Sequence, residues 1–214
     1  MFGRRKTSIE YVVIDTETTG FHAESRIIEL AMVVVSSEGK ITEDFSTFLH
    51  GDGTVGHPMA ARVHGIKTHQ VASAPTFKEI FRTYSEFIDG RIPVAHNASF
   101  DRARLNYELK LIRKKQLATM ACTLSLGVEL GYGKLKLAEA ARQFGIETGR
   151  AHRALDDAKA TADLLRYYMK KNREELRRLM ELRRSNAASA VPNKKKYNRK
   201  ECQSLMLKLK KESE

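Results

Sequence analysis

The chain has 214 residues, of which 42% are hydrophobic, and a formal net charge of +12. That length suits one domain of ordinary size plus an extension, with apolar residues enough for a core over roughly the first 170 positions. No run of about 18 apolar residues occurs, so no transmembrane helix is predicted.

The basic start, MFGRRK, is followed only by the apolar YVVI of residues 11–14, which is too short for a signal-peptide core. A cytoplasmic protein is expected. Cys122 and Cys202 form no CxxC pair and offer no zinc spacing, so both are expected as reduced thiols. Charge is unevenly spread. Residues 170–214 hold 15 Lys and Arg against 6 Asp and Glu, a net +9, which leaves +3 for everything before them. A nearly balanced domain with a basic extension suits a polyanionic partner, because each neutralised phosphate releases counterions.

In chain order, residues 11–15 (YVVID) are β-branched and apolar and end in an acid, which predicts a buried strand. Residues 27–36 (IIELAMVVVS) predict a second, SEGK a turn, and residues 41–49 a third, together an antiparallel meander. Residues 51–75 are rich in Gly, His and Ala, with short helical pieces. Residues 76–88 carry Phe77, Ile80, Phe81, Tyr84, Phe87 and Ile88 at helical spacing, with Thr76 and Glu79 placed as a capping box. IPVAH, residues 92–96, is a fourth strand. A helix over residues 99–111 follows, capped by Asn97 or Ser99. Residues 119–123 are a fifth strand, with a short helix to Leu130.

Residues 134–144 predict a helix with Gly145 just past its end. A long helix is expected over residues 154–184, its stripe including Leu155, Ala158, Ala162, Leu165 and Met169. Residues 185–193 read as a linker, residues 194–196 as a charge run, and residues 202–211 as a short amphipathic segment. The order βββ, then αβαβα, predicts an α/β domain, a mixed sheet with helices on its faces. The domain is expected over residues 10–184, after a basic segment of residues 1–9 and before an extension of residues 185–214.

Three places put acids where such a sheet would gather them. Asp15 and Glu17 sit at i and i+2 on an extended segment and so point to one side. Asp101 falls in the first turn of the helix after the fourth strand. Asp157 falls in the first turns of the last helix, five residues after His152. If strands one and four are adjacent and parallel, both end at the edge where such folds place ligands. Taken singly, each acid also reads as a turn cap or as a carboxylate at the positive end of a helix. Gathered together they would repel one another unless cations neutralise them. Oxygen-only ligands favour hard cations such as Mg²⁺ or Mn²⁺, and two such ions can clamp the attacking and leaving oxygens of a phosphodiester.

The flanks of these acids carry a resemblance. DTETTG at residues 15–20, HNASFD at residues 96–101 and HRALDD at residues 152–157 resemble, in order and spacing, the DEDD superfamily of 3′→5′ exonucleases in its histidine-containing branch, DEDDh. VHGI at residues 63–66, with PTF at residues 75–77 downstream, is similar to a further short element. The resemblance covers residues 10–169 and is nearest to the proofreading exonuclease subunits of bacterial replicative DNA polymerases. It implies a ribonuclease H-like fold, two Mg²⁺ or Mn²⁺ ions held by Asp15, Glu17, Asp101 and Asp157, and His152 as the general base. An imidazole suits that task because it ordinarily titrates near neutrality. The spacing of five from the histidine selects Asp157 over Asp156. The resemblance further implies that Thr18, Thr19, His64 and Phe100 hold the terminal nucleotide, with Phe100 stacking on a base. His96 is expected to be structural.

The implied activity is release of nucleoside 5′-monophosphates from DNA 3′ ends, in proofreading or repair. An exoribonuclease similar to oligoribonuclease or ribonuclease T shares these motifs, because the 2′-OH is sensed by details of the pocket. A non-catalytic nucleic-acid-binding adaptor is disfavoured by the complete acid set with His152. In the extension, QSLML at residues 203–207 loosely resembles a sliding-clamp-binding peptide, which makes a DNA polymerase subunit or a clamp the candidate protein partner.

Overall fold

The computed structural model describes residues 9–172 together with Glu174 and Leu176. Residues 1–8, the linker, the charge run and the clamp-like peptide lie outside the described residues.

β1 (Tyr11–Thr18), β2 (Ile27–Val35) and β3 (Ile41–Phe48) form the expected meander. Two short helices follow, α1 (Pro58–His64) and α2 (Thr68–Ala72), and then α3 (Phe77–Ile88), β4 (Ile92–Ala95) and α4 (Ala98–Leu111). The chain continues through β5 (Ala121–Cys122), α5 (Thr123–Glu129), α6 (Leu137–Phe144) and α7 (Ala154–Lys171). The five strands make one mixed sheet in the order β3-β2-β1-β4-β5, with β4 and β5 parallel to β1. This is the ribonuclease H-like α/β architecture that the sequence predicts.

The pleat of β1 divides the core. Tyr11 and Val13 face α7 and pack with Ala158, Ala162 and Leu165, whereas Val12 and Ile14 face α3 and α4 and pack with Phe77, Phe87 and Leu105. All nine residues of β2 are buried, so a single acid within it, Glu29, requires buried partners.

Several boundaries differ from the sequence reading. β1 runs to Thr18 because residues 15–18 pair with β2 after the pairing with β4 has ended at Val13. α4 begins at Ala98, and Asn97 does not cap it by side chain. Asn97 instead adopts a left-handed conformation, φ 67°, and accepts from Ser99 Oγ at 3.3 Å. α6 starts at Leu137 because the carbonyl of Leu135 binds His96, and Glu139 accepts the Lys136 N–H at 2.8 Å. β5 has shrunk to two residues. The long helix does not run unbroken to position 184. It stops at Lys171, where Asn172 leaves helical geometry (φ −136°) and its Nδ2 donates to Tyr132 Oη at 2.9 Å. The capping box of α3 is as expected, with Thr76 N donating to Glu79 Oε2 at 2.7 Å and Glu79 N to Thr76 Oγ1 at 3.4 Å. No helix of the described residues is long and apolar enough to cross a membrane.

Candidate active site

β1 outruns its parallel neighbour. Beyond Val13 it pairs with β2 on one side and with no strand on the other, and the helices of both faces deliver acids to that end. Asp15 and Glu17 point toward the α7 face by the alternation that sends Val13 there, and Asp157 sits in the first turn of α7. Thr16 points the opposite way. Its Oγ1 donates to Asp101 Oδ1 at 2.8 Å and so ties the first turn of α4 to the strand. Asp15, Glu17, Asp101 and Asp157 thereby line one cleft of about 320 Å³, together with Thr18, His64, Phe100 and His152. A ring nitrogen of His152 and oxygens of Glu17 and Asp157 lie within 4.8 Å of one another.

The acids are electrostatically frustrated. Burial, and then Asp101, Glu17, Asp157 and Glu29, hold Asp15 well above the usual carboxylate range. Burial, followed by Glu29, Asp157 and Asp101, pushes Glu17 up to about 8, with Arg153 opposing. Asp101 is raised by burial to about 6, even though Thr16 and Arg104 favour its charged form. Asp157 is raised by burial too, against the stabilising N–H of His152. Carboxylates in this condition are suited to a hard divalent cation, which removes the repulsion and accepts oxygen donors. The donor set therefore fits the metal chemistry implied by the motifs.

The histidines differ in use. His152 is exposed, sits at φ 62°, and its backbone N donates to Asp157 Oδ2 at 3.0 Å. His64 is buried. Its Nδ1 accepts from Ile66 N at 3.0 Å, and burial lowers its pKa against the nearby Val55 carbonyl. His96 Nε2 donates to the Leu135 carbonyl at 3.1 Å, which leaves Nδ1 to accept from Thr123 Oγ1 at 2.9 Å. Burial lowers the pKa of this ring against the Leu135 carbonyl, and the ring ties β4 to the start of α5.

Of the two threonines, Thr18 lines the cleft and its Oγ1 donates to the Gly20 carbonyl at 2.7 Å. Thr19 is outside the lining, and its Oγ1 accepts from Arg26 N at 3.0 Å, closing the β1–β2 loop.

Four residues near the site escaped the sequence reading. Glu29 lies opposite Glu17 across the β1–β2 ladder and accepts from Arg153 Nη2 at 3.1 Å and from Ala154 N at 3.3 Å. Arg104, buried on α4, stacks at 3.5 Å on the Phe100 ring and donates to the carbonyls of Phe100 and Phe21. Phe21 itself lines the cleft. An acid inside the apolar IIELAMVVV run was the one legible signal for Glu29. The Phe100–Arg104 stack had one too, the i,i+4 spacing of the two residues on one helix, whereas the reach of Arg104 to the Phe21 carbonyl, 83 positions away, had none.

A sequence model of the exonuclease family matches residues 12–165. The chain is 37% identical over 162 residues to DNA polymerase III subunit epsilon of Treponema pallidum, covering 73% of this chain and 74% of that one. It is 35% identical over 172 residues to the PolC-type DNA polymerase III of Clostridium perfringens, where the match takes in 78% of this chain but only 12% of the much longer polymerase. Among solved structures it is similar to Exonuclease X in complex with 5′ overhanging duplex DNA, at 30% identity and a TM-score of 0.62, over 76% of this chain and 92% of that one. The chain belongs to the exonuclease family. It is a 3′→5′ exonuclease of the DEDDh type, similar to DNA polymerase III epsilon subunits, and enzymes of this type use divalent metal ions.

Proposed function

We propose that the chain releases nucleoside 5′-monophosphates from DNA 3′ ends, with Asp15, Glu17, Asp101 and Asp157 holding two Mg²⁺ or Mn²⁺ ions and His152 acting as general base. The observation that carries this reading is the approach of His152 to Glu17 and Asp157 within 4.8 Å, at a cleft whose other two acids arrive on β1 and α4. DNA is favoured over RNA as substrate by the likeness to polymerase III epsilon subunits and to an exonuclease bound to duplex DNA.

The cations, when bound, supply positive charge that acidifies water and stabilises the departing oxygen. His152 accepts a proton from the attacking water, whose oxygen forms a bond to the terminal phosphorus. The bond from phosphorus to the 3′ oxygen of the preceding nucleotide breaks, and that oxygen takes up a proton as the new 3′ end. Asp157 serves twice in this scheme: its Oδ2 accepts from the His152 backbone, and the carboxylate would also help to hold a cation. Thr18, Thr19, His64 and Phe100 hold the terminal nucleotide. Thr18, His64 and Phe100 do so from the cleft wall, and Thr19 acts through the loop it closes.

We take residues 10–184 as the exonuclease domain and the basic residues 185–214 as an extension. Relatives named as a polymerase subunit and as a polymerase make a replicative DNA polymerase the protein partner to test, with a sliding clamp as the alternative. A degradation assay on labelled single-stranded DNA, mismatched duplex and short RNA, with Mg²⁺ and with chelator, tests the substrate. Mononucleotide release from DNA at the greater kcat/KM supports the reading, and greater kcat/KM on RNA replaces it with an exoribonuclease.

A further inference from the structure

His152 stands on the loop between α6 and α7 in a backbone conformation unfavourable for a side-chain-bearing residue, φ 62°. Such a conformation persists only where neighbouring contacts hold it. Two contacts come from adjacent acids in the first turn of α7. Asp157 Oδ2 accepts from His152 N at 3.0 Å, and Asp156 Oδ2 accepts from Arg150 N at 2.9 Å. The Asp156 carboxylate is also seated against the backbone of Gly149. A Cβ at that glycine would lie 2.5 Å from Asp156 Cγ and 2.7 Å from each of its oxygens, closer than atoms pack. Asp156 is absent from the cleft lining, so its carboxylate faces the loop and not the reacting centre.

We propose that Asp156 is a positioning residue: it clamps the loop at Gly149 and Arg150 and so fixes where the His152 imidazole is presented. This rests on the reading of His152 as the general base. Asp157 reaches the loop at one backbone N–H, that of His152, and itself lines the cleft. The second anchor, two residues earlier, turns a swinging attachment into a fixed one. A general base displaced by about 1 Å can lose on the order of 100-fold in rate, so partial loosening of the loop is enough to register.

The test compares four variants of the full chain. Asp156→Ala is expected to lower kcat about 10-fold with KM and Mn²⁺ affinity near wild type, since the loss is of orientation and not of binding. Asp156→Asn keeps an oxygen acceptor for Arg150 N and is expected to restore most of the rate. Gly149→Ala drives the carboxylate off its seat and is expected to behave like Asp156→Ala. A readout independent of catalysis is hydrogen exchange at the Arg150 amide in chelated protein, which is expected to quicken in Asp156→Ala and Gly149→Ala but not in Asp156→Asn. Wild-type kcat in Asp156→Ala, or unchanged Arg150 exchange in it, overturns the proposal. His152→Ala separates the two levels. Wild-type turnover there sinks the general-base reading, whereas a slow His152→Ala beside a fast Asp156→Ala sinks only the clamp.

Discussion

Glu29 and Arg153, 124 positions apart, meet at 3.1 Å, and the same carboxylate accepts the first N–H of α7 at 3.3 Å. Glu29 thus caps the helix that carries Asp157 while it anchors the residue next to His152. A carboxylate at a helix N-terminus is favoured by the helix dipole, and this one is nearly out of contact with water. Arg153 also stabilises the charged form of Glu17. The pair is the brace that sets α7 against β2.

Arg153→Ala leaves Glu29 buried with one backbone partner. Breaking a buried pair is costly, but Arg153 is one-third exposed, so a loss of about 2 kcal/mol in urea unfolding is expected. Arg153→Lys keeps the charge but not the fork and should fall between. Stability unchanged in Arg153→Ala would mean that Glu29 is satisfied otherwise.

Asp15→Asn is expected to abolish nucleotide release, by on the order of 1,000-fold or more, while raising the melting temperature of the chelated protein. The physical ground is that the charged Asp15 is destabilised by burial and by four neighbouring acids, so removing its charge relieves the fold. An active Asp15→Asn enzyme would remove that acid from the site.

Thr16→Val deletes the hydroxyl that favours charged Asp101 and preserves the shape of the side chain. Support of this kind for a metal-binding carboxylate is ordinarily worth about 10-fold or more in metal affinity. Mn²⁺ titration of the variant is therefore expected to give weaker binding with the fold intact. Equal affinity would assign the Thr16–Asp101 bond to folding alone.

Without metal, stability should fall as pH rises. Glu17 in the fold holds its proton up to about 8 against an ordinary 4.5, and Asp101 up to about 6 against 3.8. The folded state therefore binds more protons than the unfolded chain between those values. The stabilisation is fully present below the unfolded values and is lost by the time pH passes about 8. Urea midpoints of chelated protein across this window should decline, and added Mg²⁺ should flatten the decline. A midpoint that rises with pH would contradict the frustrated cluster.

Much of this protein could be read without coordinates. The β-branched runs of β1 and β2, the Thr76–Glu79 capping box and the Gly145 stop are local patterns, and local patterns fix local structure. The three acid-bearing motifs were visible for the same reason, because each is a short segment whose chemistry lies in its own residues. The break after Lys171 had no such local signal, because Asn172, where it falls, is held by Tyr132 from 40 positions away; the expected end at residue 184 lies outside the described residues.

Tertiary structure alone decided how the acids are served. No pattern within DTETTG tells that Thr16 faces α4 and binds Asp101 while Asp15 and Glu17 face α7. That division follows from which helix covers which side of the pleat. Nor does sequence reveal that Glu29 pairs with Arg153, or that Asp156 leans on Gly149. A motif states which groups are present. Burial and the directions of hydrogen bonds, which decide charge and orientation, exist only once distant segments are packed together.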